Sequence, residues 1–382
     1  MINDRSVVCS LFISQVSITY CYKCAAGRSE SNDFLQLLVQ DQTLDYDEAV
    51  IRSALKWLDC PPDEPWVLFL PLIFPHCPFQ VEEPYFSLYD RKAISPPSQA
   101  SAKSGYEPRY MGVIRKRYGT ERATSDIWAE VAATYYGMIT RLDDQFARIT
   151  KKLKSADLWS KTVTMFFTDH GEYLGDHGLI EKWPSGLSEC LVREPLIIGG
   201  GGLPSGATSD AMTEMVDLVP TVLQLCGISE TFPHNGASLI PTIMGGKAHK
   251  EFAFSEGGFL TTEEPLLEQA PFPYDIKAGL QHEDTTLVGK AISIRNKKWT
   301  YVYRLYEPAE LYDRANDTAE LHNIAADPEF SHIGRMLEGE MFKWMVESSD
   351  FLPFAKDPRW PTVSLDSPEK QLAKRLEKAV SE

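Results

Sequence analysis

Phe166-Phe167-Thr168-Asp169-His170-Gly171-Glu172 is an apolar run that stops at a carboxylate, an imidazole and a glycine. A run of this length reads as a buried strand, and its last residues bring an oxygen and a nitrogen ligand to a sheet edge, where α/β proteins keep their chemistry. The chain continues Tyr173-Leu174-Gly175-Asp176-His177-Gly178-Leu179-Ile180-Glu181-Lys182, so glycines punctuate a tight loop and a lysine follows twelve residues after His170. An isolated Asp-His pair is usually a turn or a cap. Strand, Asp-His-Gly, Gly-Asp-His-Gly and lysine in one order form a motif in context, which carries more weight. A cation at Asp169 and His170 beside the Lys182 ammonium suits an anionic ester.

Upstream, Asp126 to Lys154 places Ile127, Val131, Tyr135, Met138, Leu142, Phe146, Ile149 and Leu153 at spacings of three and four, which predicts one long amphipathic helix. Asp143 and Asp144 are adjacent on it and do not face each other, so they read as structural rather than as a carboxylate pair. This helix and a strand over 162–168 make a βαβ-like unit of a parallel or mixed sheet. A shorter helix is predicted from Asp47 to Leu58, ended by prolines 61, 62 and 65. Trp66 to Leu72 is a continuous apolar run that predicts a buried strand, and it leads into Pro75-His76-Cys77-Pro78-Phe79. Taken alone, His76 is more often a packed loop histidine than a functional one. Residues 90–125, with the triplet Arg115-Lys116-Arg117, read as a surface excursion with a solvated basic face.

Downstream, Arg193-Glu194-Pro195-Leu196-Ile197-Ile198 predicts another short strand, closed by glycines 199–202, which lack the Gly-Lys-Ser/Thr of a phosphate cradle and read as a turn. Met215 to Leu223 predicts a helix with Gly227 as its stop. From about residue 250 strands dominate: 291–295 and 298–303 predict a hairpin, and Ser331 to Val346 a helix.

These segments together resemble the sulfatase family, of the arylsulfatase and choline-sulfatase type, within the alkaline phosphatase superfamily. The likeness is carried by the Thr168 to Lys182 loop, Pro75-His76-Cys77-Pro78-Phe79, the Tyr135-Tyr136 to Leu142-Asp143-Asp144 helix, Asp217-Leu218-Val219-Pro220-Thr221, and Glu310-Leu311-Tyr312-Asp313 with Glu320-Leu321-His322-Asn323. The resemblance implies an α/β fold, an alkaline-phosphatase-like sandwich with a central mixed, largely parallel sheet flanked by helices. It also implies a smaller C-terminal α+β subdomain with an antiparallel sheet. The expected layout is an unassigned segment over 1–45, the sulfatase-like α/β domain over 46–250 and the C-terminal subdomain over 251–382. By the same resemblance Asp169 and His170 are metal residues, with calcium first and manganese or magnesium as alternatives. His76 and Lys182 are implied to be catalytic, His76 near the leaving oxygen and Lys182 on the anion. The implied activity is hydrolysis of sulfate esters, with a phosphodiester or phosphonate monoester hydrolase as rival.

The family's N-terminal third, with two further metal aspartates, Cys-x-Pro-Ser-Arg and Gly-Lys-x-His, is not readable here. Cys24-Ala25-Ala26-Gly27-Arg28 keeps only the cysteine-to-arginine spacing. The competing expectation is therefore a truncated, non-catalytic sulfatase-like protein with little or no turnover of aryl sulfates.

At 382 residues the chain can bury a large core, and 43% hydrophobic with 24% charged residues is ordinary globular composition. A net charge of -16 argues against nucleic acid and anionic membranes as partners; the resemblance implies a small-molecule sulfate ester or related anionic ester as partner, with a homo-oligomer open. Seven cysteines in no disulfide-like spacing, Cys21 and Cys24 included, fit a reducing compartment. The apolar stretch from Ser6 to Tyr22 is too interrupted for a signal peptide, and a cytoplasmic location is expected.

Overall fold

The run that ends at Asp169 is a strand, and its neighbours explain its composition. The computed structural model describes residues 6–7, 45–98, 102–246, 249–266, 269–270, 274–349, 359 and 366–381. The unassigned segment over 1–45, with Cys9, Cys21 and Cys24, lies outside them apart from Ser6, Val7 and Asp45. Strand β1 (Ser6–Val7) pairs in parallel with β2 (Thr162–Phe167), opposite Thr162 and Val163. On the other side β2 pairs antiparallel with β3 (Leu196–Gly200), from Val163 opposite Gly200 to Phe167 opposite Leu196. Val163, Met165 and Phe167 enter one core with Leu218, Leu225 and Leu239, while Phe166 packs on the opposite side. Burial on both faces explains the unbroken apolar run. The sheet is mixed among the described residues, as the helix-strand alternation allowed, with the short β1–β2 pairing parallel and the longer β2–β3 ladder antiparallel.

Helix α1 (Tyr46–Trp57) starts at Asp45, whose side chain accepts the Glu48 amide at 2.8 Å. Its face of Ile51 and Ala54, with Leu58 just beyond, packs on Leu142, Ile149 and Leu153. A second helix, α2 (Arg109–Tyr118), runs through the stretch expected to be a surface excursion. Tyr110, Met111 and Ile114 are buried, and Arg115 turns inward to Glu107 and the His177 carbonyl. The basic triplet obscured a core helix because its apolar face has only three residues. Helix α3 (Ser125–Ser155) is the predicted long helix, with Trp128, Ala132 and Met138 continuing the buried stripe upstream, whereas Ile127 is exposed.

The run Trp66 to Leu72 belongs to no ladder among the described residues, contrary to the predicted strand. Trp66, Leu70 and Leu72 enter the α1–α3 core, while Val67 and Phe69 remain 55% and 42% exposed. Its alternation is that of an extended segment buried on one face.

Beyond β2 come α4 (Glu189–Val192), α5 (Leu218–Cys226), stopped by Gly227 at φ 65, and α6 (Ile240–Ile243). The second sheet is fully antiparallel, in the order β4 (Ala253–Gly257), β5 (Ala291–Arg295), β6 (Trp299–Arg304), β7 (Glu310–Asp313). Asn296 makes the β5–β6 turn, its side-chain oxygen accepting the amides of Lys298 and Trp299. Helix α7 (Asp275–Glu283) precedes β5, and α8 (Ser331–Ser348) covers the sheet with Leu337 and Met341. A last helix, α9 (Pro368–Ser381), follows. Among the described residues no helix is long and apolar enough to cross a membrane.

Candidate functional site

Beyond the end of β2 a cleft of about 1110 Å³ opens, lined by Asp169, His170, Glu181, Lys182, Glu194, Tyr274 and Lys277 among others. Asp169 and His170 therefore reach the cleft as the motif predicted. Gly171 is required beside them, because a Cβ there would lie 2.0 Å from the Cys190 carbonyl oxygen. The loop from Glu172 to Glu181 closes on itself. Glu172 accepts the amides of Leu174 and Glu181 on one oxygen, and Asp176 accepts the Ser98 amide at 2.7 Å. In the Gly-Asp-His-Gly segment His177 is buried, and burial takes its imidazole down to about 3, so it is a neutral packing residue. The second half of the motif is thus a scaffold for Lys182. Trp183 anchors the other end of the loop, donating its indole N–H to the Leu287 carbonyl at 2.8 Å and stacking on Tyr110.

His76 and Lys182, 106 positions apart in sequence, meet: the Lys182 ammonium donates to His76 Nε2 at 2.7 Å. His76 Nδ1 faces the Cys77 carbonyl at 2.6 Å and so carries the ring hydrogen, which leaves the Nε2 lone pair to Lys182. Burial first, and then the Lys182 charge, hold the His76 imidazole below its ordinary value. Burial also lowers Lys182. The pair is a neutral imidazole against an ammonium with two further donors.

The loop carrying His76 is held from behind by Asp47, 1% exposed on the first turn of α1. Its two oxygens accept the amides of Ile73 and Phe74 at 2.7 and 2.9 Å. Cys77 is the cysteine beside the pair, but burial and its bond to Glu181 push its thiol up to about 12, so it stays protonated and is no nucleophile.

The metal expectation meets a partial donor set. His170 Nδ1 donates to the Gly171 carbonyl at 2.8 Å, and Nε2 lies 3.6 Å from Asp169 Oδ2, the orientation of an imidazole ligand beside a carboxylate. Calcium, however, takes six or more oxygens. Among the described residues no group of three His, Cys, Asp or Glu side chains could hold a metal ion. By themselves these residues do not fit a divalent cation.

Sequence reasoning assigned no role to Glu181, Glu194, Lys277 or Asp47. Glu194 comes to the cleft through the antiparallel ladder, which ends with Phe167 opposite Leu196 and so leaves Asp169 and Glu194, each two residues on, at the same end of the sheet, where both line the cleft. Burial, with the Asp169 charge adding to it, pushes the Glu194 carboxyl up to about 7. The signal was present in Arg193-Glu194-Pro195 at a strand start, but parallel pairing would have placed it at the other end of the sheet.

Comparison with known proteins bears on family and fold. A sulfatase family model matches residues 8–228. The chain is 27% identical over 321 residues to the multifunctional alkaline phosphatase superfamily protein PehA of Trinickia caryophylli, covering 78% of this chain and 59% of that protein. It is 26% identical over 269 residues to choline-sulfatase of Rhizobium meliloti, covering 69% and 47%. The chain thus spans about half the length of these relatives. Among solved structures it resembles the phosphonate monoester hydrolase of Agrobacterium radiobacter, with a TM-score of 0.66 and 23% identity over 85% of this chain and 66% of that one. At that identity the likeness speaks for the fold.

Proposed function

Because the chain belongs to the sulfatase family, we propose that its cleft binds the sulfate group of a small sulfate ester and serves the hydrolysis of that ester. The observation that carries this reading is the 2.7 Å contact that His76 Nε2 makes with Nζ of Lys182, a residue lining the same cleft as Asp169 and His170. An ammonium in a partly desolvated cleft offers its remaining donors to sulfate oxygens more strongly than a surface lysine would. A bound anion stabilises the charged forms of Lys182 and His76, raising both above their present depressed values. The pair then holds a proton beside the oxygen of the leaving alcohol, which is the group that needs one as the ester bond breaks.

The nucleophile belongs to the proposal rather than to the described residues. Cys24, the cysteine at family-like spacing from Arg28, lies outside them, and Cys77 is held as a thiol. The proposal includes a divalent cation, calcium first, to which Asp169 and His170 would contribute an oxygen and a nitrogen. The largely parallel central sheet belongs with this reading rather than with the three described strands.

Calorimetry with inorganic sulfate and an assay of a chromogenic sulfate ester, each with calcium and after chelation with EDTA, test the reading. Sulfate binding with calcium-dependent turnover supports it whole. Binding without turnover supports a non-catalytic sulfatase-like protein, and faster turnover of a phosphonate monoester moves the assignment within the superfamily. A cleft that binds no sulfate ends the proposal.

A further inference from the structure

Glu181 adopts φ 64, a left-handed conformation that a residue with a Cβ keeps only where its surroundings impose it. Its surroundings do so on every side. Its amide donates to Glu172 Oε1, and its carbonyl accepts the Tyr173 amide at 3.3 Å. Its side-chain oxygens accept from two distant segments: Oε1 from the Cys77 thiol at 3.0 Å, and Oε2 from the Lys277 ammonium at 2.8 Å. Lys277 also donates to the Lys182 carbonyl at 2.6 Å, and the Tyr274 hydroxyl to the Cys77 carbonyl at 3.3 Å. One carboxylate thus ties the residue after His76, the residue before Lys182 and the helix α7.

We propose that Glu181 is a positioning residue of the anion site, its bridge between Cys77 and Lys277 keeping His76 and Lys182 at hydrogen-bonding distance and making that distance depend on helix α7. The proposal rests on the reading of the cleft as a sulfate-ester site. A role through charge alone is disfavoured by sign, since a carboxylate next to Lys182 repels the anion the site is built to hold. Burial would raise the Glu181 carboxyl, but Lys277 and the Cys77 thiol outweigh it and keep the group ionised.

Calorimetry of the full chain with inorganic sulfate, and an NMR titration of the His76 ring without anion, separate position from charge. If Glu181 acted through charge alone, Glu181→Gln would tighten sulfate binding and lower the His76 titration further, because the Glu181 charge raises that imidazole. Positioning predicts the opposite on both counts: sulfate binds about tenfold more weakly, the scale of one charge-assisted hydrogen bond, and His76 titrates nearer its ordinary value as Lys182 moves away. Cys77→Ala should move both readings the same way by less, and Cys77→Ser, which keeps a donor, should recover them. Equal or tighter sulfate binding by folded Glu181→Gln overturns the proposal. Should that variant fail to fold, unchanged binding and an unchanged His76 titration in Cys77→Ala overturn it. A wild-type chain that binds no sulfate sinks the sulfate reading instead, while the His76 titration still decides the role of Glu181.

Discussion

Two side chains in the cleft respond to an anion in opposite ways. Lys182 offers charge and donors, and Lys182→Ala should weaken sulfate binding by about tenfold or more, since a charge-assisted hydrogen bond is worth about 1.5–3 kcal/mol. Calorimetry at constant ionic strength reads the loss; an unchanged affinity would take Lys182 out of the site. Glu194 opposes the anion once it ionises. Its carboxyl is raised from 4.5 to about 7, so it adds stability in full below about 4.5 and loses it as the pH climbs through about 7. Over the same step the cleft gains a negative charge. Sulfate affinity should therefore fall as the pH rises through about 7, and Glu194→Gln should flatten that step. The titrations of His76 and His170, both held below the ordinary histidine value, lie on the acid side of it and would survive the substitution. A pH profile of affinity for the two proteins checks the assignment.

The elements matter through the ends they present. Strand β2 ends at Phe167, two residues before Asp169, and Gly171 lets the chain pass the Cys190 carbonyl at a distance no side chain would allow. The other half of the site hangs on helix α1. Asp47 turns its carboxylate inward to two backbone amides of the loop before His76, and the Arg141 guanidinium lies over the Phe74 ring of that loop. Asp47→Ala would leave the amides of Ile73 and Phe74 buried without that acceptor. We expect a destabilisation of about 3 kcal/mol, measured by urea unfolding, with His76 displaced. If the variant unfolds at the wild-type midpoint, α1 does not position His76. Such anchoring was hidden in the sequence, where Asp47 reads as an ordinary first-turn acid of a helix.

Across the whole molecule, the second sheet is joined to the cleft by buried charge. Arg304 of β6 donates to Glu310 at 2.7 Å and to the Ser185 carbonyl at 2.9 Å, three residues past Lys182, and its guanidinium lies over the Tyr110 ring. Arg304→Met should cost about 3–5 kcal/mol by stranding the Glu310 carboxylate, and thermal unfolding would report it. A loss under about 1 kcal/mol would mean that the sheet does not depend on this pair.

What the amino-acid sequence determined by itself is what periodicity and local order encode. The spans of α1, α3, β2, β6 and α8 follow from apolar spacing, and the order of strand, Asp-His-Gly, loop and lysine marked Asp169, His170 and Lys182 within about twenty residues. His76 was legible only through resemblance, because an isolated histidine among prolines carries no local signal. Tertiary structure alone decided the rest. Apolarity predicts an extended segment but not its partner, so neither the lack of a ladder for Trp66–Leu72 among the described residues nor the antiparallel register that sets Phe167 opposite Leu196, with Asp169 and Glu194 just beyond, could be read. The carboxylate of Glu181 meets Cys77 and Lys277 across 104 and 96 positions, contacts that exist only once the core has closed the long loops between them.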